Sequence, residues 1–291
     1  MDVLRFLLAP FVASLILTGI HAYMGVHVVE RGVIFVDIAL AQIAALGATV
    51  SILFGMDVHG SATYWVSLAF TFLGAAVISV LRTRDSRIPQ EAIIGITYAV
   101  ASAAAILAMS KAVGETEHLK DMLVGNILSV SWTEVRNTAL LYSAVGVFHY
   151  IFRHKFLAIS IDAKAAEAQG INVRWWDFLF YVSFGFVVTS SVAIAGVLLV
   201  FFYLIVPSVG AILFAKSIGR RLAIGWTMGA LVSALGVYLS LAIDLPTGAT
   251  IVCTFGAALL LMAVIRVLFF RQSVTEQAPV HGNRAGVAKV H

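Results

Sequence analysis

Charge is scarce in this chain: only 12% of its 291 residues are Asp, Glu, Lys or Arg, against about a quarter in an ordinary soluble domain. Cysteine is limited to Cys253, which excludes an intramolecular disulfide and a cysteine-cluster metal site. Lying inside an apolar run, Cys253 reads as a small packing residue. Catalytic signatures are missing as well. There is no GxxxxGK(S/T) phosphate loop, no HExxH and no GxSxG. No apolar run holds the pair of acids that a proton relay or an intramembrane protease would use. The chain is therefore not expected to be an enzyme, to use ATP through a phosphate loop of its own, or to bind a cofactor. The first apolar run, from Val3 into Tyr23, lacks the charged start and small-residue cleavage site of a signal peptide and reads as a first span.

What remains is apolar. Hydrophobic residues make up 61% of the chain and the mean hydropathy is +0.99. Several runs exceed the roughly 20 residues that cross a bilayer as a helix. They are continuous rather than alternating, which argues against an outer-membrane barrel. The expected class is an all-α polytopic membrane protein. Candidate spans fall near 6–28, 34–54, 62–81, 91–110, 137–152, 177–195, 197–215, 222–243 and 247–270. Only Ala195-Gly196 separates the sixth from the seventh, so eight spans is the alternative. Residues 1–270 read as one membrane domain and 271–291 as a polar, disordered tail, with lipid as the surrounding partner.

The net charge of +4 does not point to nucleic acid, because the basic residues sit in short loops between spans. Lys and Arg gather in 82–87, in 153–155 with Lys164 and Arg174, in 216–221 and after Arg266. The positive-inside rule places these in the cytoplasm. Loops 55–61 and 244–248 hold no Lys or Arg and fall outside. Segment 121–133 is too short and polar to cross and reads as re-entrant or interfacial. The long basic-side loop 153–177 is helix-prone at "AKAAEAQ" and stops at Gly170. It suits either a docking helix or an amphipathic connector.

Transport needs polar groups inside the bundle. Candidates are Asp37 and Gln42 in "RGVIFVDIALAQIAALG", Glu91, Ser208 beside Pro207, and Asp244. Each has a plainer reading. Asp37 and Glu91 suit helix starts, and Asp244 suits a turn before Leu245-Pro246. His21, His27 and His149 read as packing residues. "ETEH" (115–118), with Glu115, Glu117 and His118, is a weak cation cluster or a solvated loop. "GWTMG" (225–229) marks close helix packing or dimerisation.

Several stretches in order carry a resemblance. They are "VVERGVIFVDIALAQIAALG", "SRIPQEAIIGITYAVASAAAILAMS", "LVGNILSVSW", "DAKAAEAQGINV", "GVLLVFFYLIVPSVGAILFA" and "LAIDLPTGATIV". From about residue 10 to 268 the chain resembles the permease subunits of the zinc/manganese/iron ABC importers. The resemblance implies eight or nine transmembrane helices in a fold related to the vitamin B12 importer permease. It implies a homodimer in the bacterial inner membrane, two ATP-binding subunits on the cytoplasmic side and an extracytoplasmic metal-binding protein. The cargo would be a divalent metal, zinc or manganese first. The coupling region would be 154–176, with Ala166, Glu167, Ala168 and Gly170 meeting the ATPase. Substrate-pathway residues would be Asp37, Gln42, Ser208 and Asp244, with Asp37 the candidate metal ligand. The sequence departs from the family at one point. Members commonly carry an aspartate with a histidine four residues later. Here those positions hold Ile38 and Gln42. Asp37 and Gln42 lie about 140° apart around a helix and do not reproduce the pair. A metal chelate as cargo, or a secondary transporter or scaffold without an ATPase, are the alternatives.

Overall fold

A computed structural model describes residues 2–57, 60–81, 89–110 and 127–269, with side chains from Leu7 onward. Loop 82–87, His59, the 115–118 cluster, 121–126 and the tail 271–291 lie outside the described residues. The described chain is built of helices: α1 (Asp2–Glu30), α2 (Val36–Leu53), α3 (Ser61–Val80), α4 (Gln90–Met109), α5 (Trp132–Ile151), α6 (Arg153–Ile161), α7 (Ala163–Ala168), α8 (Val173–Phe214), α9 (Ile218–Ala242) and α10 (Thr247–Phe269). A single 3-10 turn at Ile127–Ser129 precedes α5. The end of segment 121–133 packs Val130 with Ala9 and Ala13 of α1. Local chemistry fixes the boundaries. Ser131 and Glu134 form a reciprocal capping box at the start of α5. Asn172 caps α8 by accepting from Trp175 N at 3.1 Å.

Seven of these helices are long and apolar enough to cross a membrane. One of them, α8, has 42 residues. Straight, it would run about 63 Å, twice a hydrocarbon core of about 30 Å. It does not run straight. Gly196 adopts φ 75, ψ 161, a backbone that residues with a Cβ rarely take. Both ends of α8 return to the end of α1. Asp177 binds Arg31, and Arg221, just beyond α8, binds Glu30. The segment is thus a hairpin of two passes, α8a (173–195) and α8b (197–214), divided where the sequence places the break. That gives eight crossings. The 20-residue α5, which carries Glu134, Arg136 and His149, has the length of a ninth but is not among the seven apolar enough to qualify.

The hydrogen bonds sort the helix ends. Ser79 of α3 donates to Arg174 O, and Gln90 of α4 donates to Ile78 O. The close of α1, the starts of α2, α4 and α9, both ends of α8, and α6 and α7 therefore share one end of the bundle. It carries Arg31, Arg153, Lys155, Arg174 and Arg221, and is called the basic end below. Exposed Tyr150 and Trp175 lie toward it, and exposed Trp65, Trp132 and Tyr238 toward the other. Two aromatic belts of this kind mark a bilayer's two interfaces. The described chain is that of a multi-pass membrane protein.

Lipid offers helices no hydrophobic drive to associate, so close packing at small residues holds the bundle. A Cβ at Gly25 would fall 2.0 Å from Leu204 O, so only glycine admits α8b there. "GWTMG" serves the same end within the chain. A Cβ at Gly229 would fall 2.3 Å from Thr18 Cγ2 of α1.

Candidate functional site

The entry to α2 is assembled from three elements. Gly32, with φ 63, turns the chain after α1. Phe35, at the cap position of α2, offers no side-chain acceptor. The carboxylate of Glu91, in the first turn of α4, instead holds the turn just before α2, accepting from Ile34 N at 2.6 Å. Glu91 is thus more than a helix-start residue of its own helix: it fastens the turn before α2 to α4.

Asp37 follows in the first turn of α2 and is fully buried. Neither of its carboxylate oxygens has a hydrogen-bond partner among the described residues. It is the sole charged group in α2. Gln42 faces elsewhere. Ile38, Gln42, Leu46 and Val50 are each half-buried, four residues apart, on one stripe of a helix otherwise buried from Val36 to Ser51. The angular separation expected of Asp37 and Gln42 is therefore real. The stripe carries the two positions that hold the aspartate and histidine in the resemblance, and here it is uncharged.

The other two pathway candidates are not brought to Asp37. Ser208 is buried against α1, its hydroxyl 3.0 Å from Leu204 O and 3.3 Å from Ala22 O. It fills the space left by Gly25 and packs α8b against α1. Asp244 lies exposed in the turn between α9 and α10, with φ 52. Its turn is closed by Leu245 N donating to Ser240 O at 2.9 Å. Left-handed backbone costs a residue with a Cβ about 1–2 kcal/mol, least for Asp and Asn. Asp244→Gly is expected to keep both thermal stability and uptake, whereas Asp244→Val should lower the unfolding temperature of the purified protein. Loss of uptake in the glycine variant would return Asp244 to the pathway.

The helix-prone stretch after Asp162 folds as its sequence suggests. Asp162 caps α7 by accepting from Lys164 N and Ala165 N, each at 3.0 Å. Gly170, with φ 82, ends it. Ile171 N reaches Ala166 O at 3.1 Å and Gly170 N reaches Glu167 O at 2.9 Å, the paired bonds of a Schellman close. Glu167, Ala168 and Gly170 are exposed, while Ala166 is buried and seats the helix on the bundle.

A buried polar network joins this region to the membrane helices, and it is absent from the sequence reading. His27 Nδ1 and Arg31 Nε lie 2.8 and 2.9 Å from the Ser160 hydroxyl. Arg31 Nη1 bonds Asp177 at 2.7 Å, and its guanidinium rests 4.0 Å above the Phe180 ring. His149 bridges Ser183 at 2.8 Å and Tyr23 at 3.3 Å. His21 lies 2.8 Å from Leu17 O and 3.2 Å from Ser191. The three histidines do pack within the bundle, as expected, but as hydrogen-bonded links between helices. Among the described residues no group of three or more His, Cys, Asp or Glu is placed to hold a metal ion.

Together these features define a class. Membrane-length helices surround one buried carboxylate with no described hydrogen-bond partner and one uncharged stripe, and a short capped helix is seated on the bundle by Ala166 at the basic end. That is the membrane-spanning subunit of a transporter. More closely, the chain belongs to the ABC 3 transport family, matched over residues 3–266. It is 28% identical over 248 residues to the manganese transport system membrane protein MntC of Listeria innocua, covering 85% of this chain and 86% of that protein. It is 23% identical to the chelated iron transport system membrane protein YfeD of Yersinia pestis, covering 91% and 83%. Among solved structures it is similar to PsaBC from Streptococcus pneumoniae in complex with Fab, with TM-score 0.74 and 25% identity, covering 88% of this chain and 90% of that one.

Proposed function

We propose that this chain is the permease of an ATP-driven importer for a divalent transition metal, with manganese or zinc as the first cargo to test. The observation that carries this is the family match from residue 3 to 266, together with a manganese relative aligned over 85% of the chain. The basic end faces the cytoplasm, in keeping with the positive-inside rule. There a pair of ATP-binding subunits docks on the exposed face of α7. Two copies of the chain form the pathway, and an extracytoplasmic binding protein delivers the cargo. ATP binding and hydrolysis in the partners alternate the access of the pathway.

Asp37 is the group proposed to meet the cation, with Gln42 offering a neutral carbonyl oxygen along the stripe. Oxygen donors suit manganese, and a thiolate-free site demands no softer ion. In the described state the carboxylate is sealed away, so cargo would reach it when α2 changes its packing. A second reading is favoured by the uncharged stripe Ile38–Gln42–Leu46–Val50. A cation already wrapped in a chelator needs no anionic ligand of the protein, and YfeD is named for chelated iron.

Uptake into vesicles holding the permease, its ATPase and its binding protein separates the two readings. ATP-dependent entry of manganese or zinc is the expected result. Entry of an iron chelate alone would favour the second reading. Purification without any ATP-binding partner, and no ATP-dependent uptake of either cargo, would overturn both.

A further inference from the structure

The buried polar groups that the pathway leaves unused converge on one hydroxyl of the docking region. Ser160 stands in the last turn of α6, two residues before the Asp162 cap of α7. Its O–H donates to Phe156 O at 2.8 Å. A hydroxyl has one donor and two acceptor sites. The remaining two accept from Arg31 Nε at 2.9 Å and from Nδ1 of His27 at 2.8 Å. That assignment fixes His27 as the tautomer with its hydrogen on Nδ1. Ser160 is buried and fully used.

Arg31 carries the connection onward. It opens the turn that leads into α2, and its own N–H is held by His27 O at 3.0 Å. Its guanidinium is fixed in three ways: by Ser160, by Asp177 at 2.7 Å and by the face of Phe180 at 4.0 Å. On the far side of the same turn, Glu91 grips Ile34 N at 2.6 Å. The turn that leads into α2 is clamped between the docking region and α4. Apolar packing at Phe156, Ile159 and Ala166 also seats α6 and α7, but such contacts lack direction. A charge-assisted hydrogen bond from a pinned guanidinium has direction.

We propose that the Ser160–Arg31 contact is the joint through which movement of α6 and α7 is passed to α2, making Ser160 and Arg31 positioning residues for transport. This rests on the reading that an ATPase docks at α7. When α7 is displaced, Ser160 moves with it, Arg31 follows, and α2 is repacked about the Glu91 anchor.

The test uses the complete permease–ATPase complex in lipid vesicles. A nitroxide is placed at Leu46→Cys, on the stripe of α2, in a Cys253→Ala background. Its spectrum is recorded with and without ATP, and hydrolysis is measured in the same sample. The unmodified joint should give an ATP-dependent change in label mobility. Ser160→Ala should cut that change at least fivefold while the ATPase stays bound and hydrolysis persists. Ser160→Thr, which keeps the hydroxyl, should restore it. The inference is overturned if the label in Ser160→Ala responds as before. It is equally overturned if response, hydrolysis and ATPase binding fall together, because the serine then serves docking or folding. The label needs no cargo, so absent manganese and zinc uptake with a responsive label would count against the proposed cargo alone. Where uptake occurs, the amount carried per ATP should fall with the label response.

Discussion

Asp37→Ala is expected to abolish metal uptake while the complex assembles normally. Both halves follow from the same observation, a fully buried carboxylate whose oxygens have no hydrogen-bond partner among the described residues. An aspartate at mid-helix in a membrane costs about 2.5–3.5 kcal/mol on insertion scales. Near a helix start the cost is smaller, and the positive end of the helix dipole offsets part of it. Removing the charge therefore leaves folding unchanged or improved. On the transport side, a charged contact to cargo of about 1.5–3 kcal/mol corresponds to a rate loss of about 10–100-fold. Asp37→Asn keeps the volume and loses the charge, so it should behave as the alanine does. Initial uptake rates, compared at equal amounts of assembled complex, decide the matter. Normal uptake by Asp37→Ala would reduce Asp37 to a helix-start residue.

Much of the architecture could be read in the chain because it is written locally. Gly196 follows an apolar run as long as a span and precedes another, and it is the hinge of the α8 hairpin. Gly170 ends a run of small helix formers and closes α7. The angle between Asp37 and Gln42 follows from 3.6 residues per turn alone. The site was less legible, and Ser208 shows why. A serine beside a proline in an apolar helix suggests a polar opening. What decides its role is Gly25, 183 positions earlier, which leaves the space that Ser208 fills. The Ser160 network hides in the same way. Its bonds to His27 and Arg31 span 133 and 129 residues, and no periodicity connects them. Glu91 was legible as a start signal for α4 but not as the anchor of the turn before α2, since the acceptor and its donor lie 57 residues apart.

These long-range contacts also account for where the polar groups of the bundle lie. Apart from Asp37, the buried charges described above are paired, and they concentrate at the basic end where α6 and α7 join. Burying ions is costly in lipid or protein, and pairing returns only part of that cost. A protein needing stability alone would do as well with apolar residues there. The placement favours a mechanical use, in which polar contacts set the register of α1, α2 and α8a against α6.

The second large effect concerns Arg31 and Asp177, whose side chains are 3% and 0% exposed. Arg31→Ala takes the guanidinium away from a fully buried carboxylate, and Asp177→Ala takes the carboxylate away from a nearly buried guanidinium. Each single change is expected to cost about 3–5 kcal/mol, enough to lower the yield and unfolding temperature of the purified permease sharply. The double variant Arg31→Met, Asp177→Leu replaces both ions with apolar groups of similar reach. Buried pairs exchanged in this way are often neutral or stabilising, so assembly should recover. Uptake should not, because methionine cannot donate to Ser160. Thermal unfolding and uptake measured on the same three variants therefore separate two roles of one residue. Stability should return in the double variant while transport stays lost. If uptake returned with stability, the ion pair would be a folding element and Arg31 would not be the joint between Ser160 and α2.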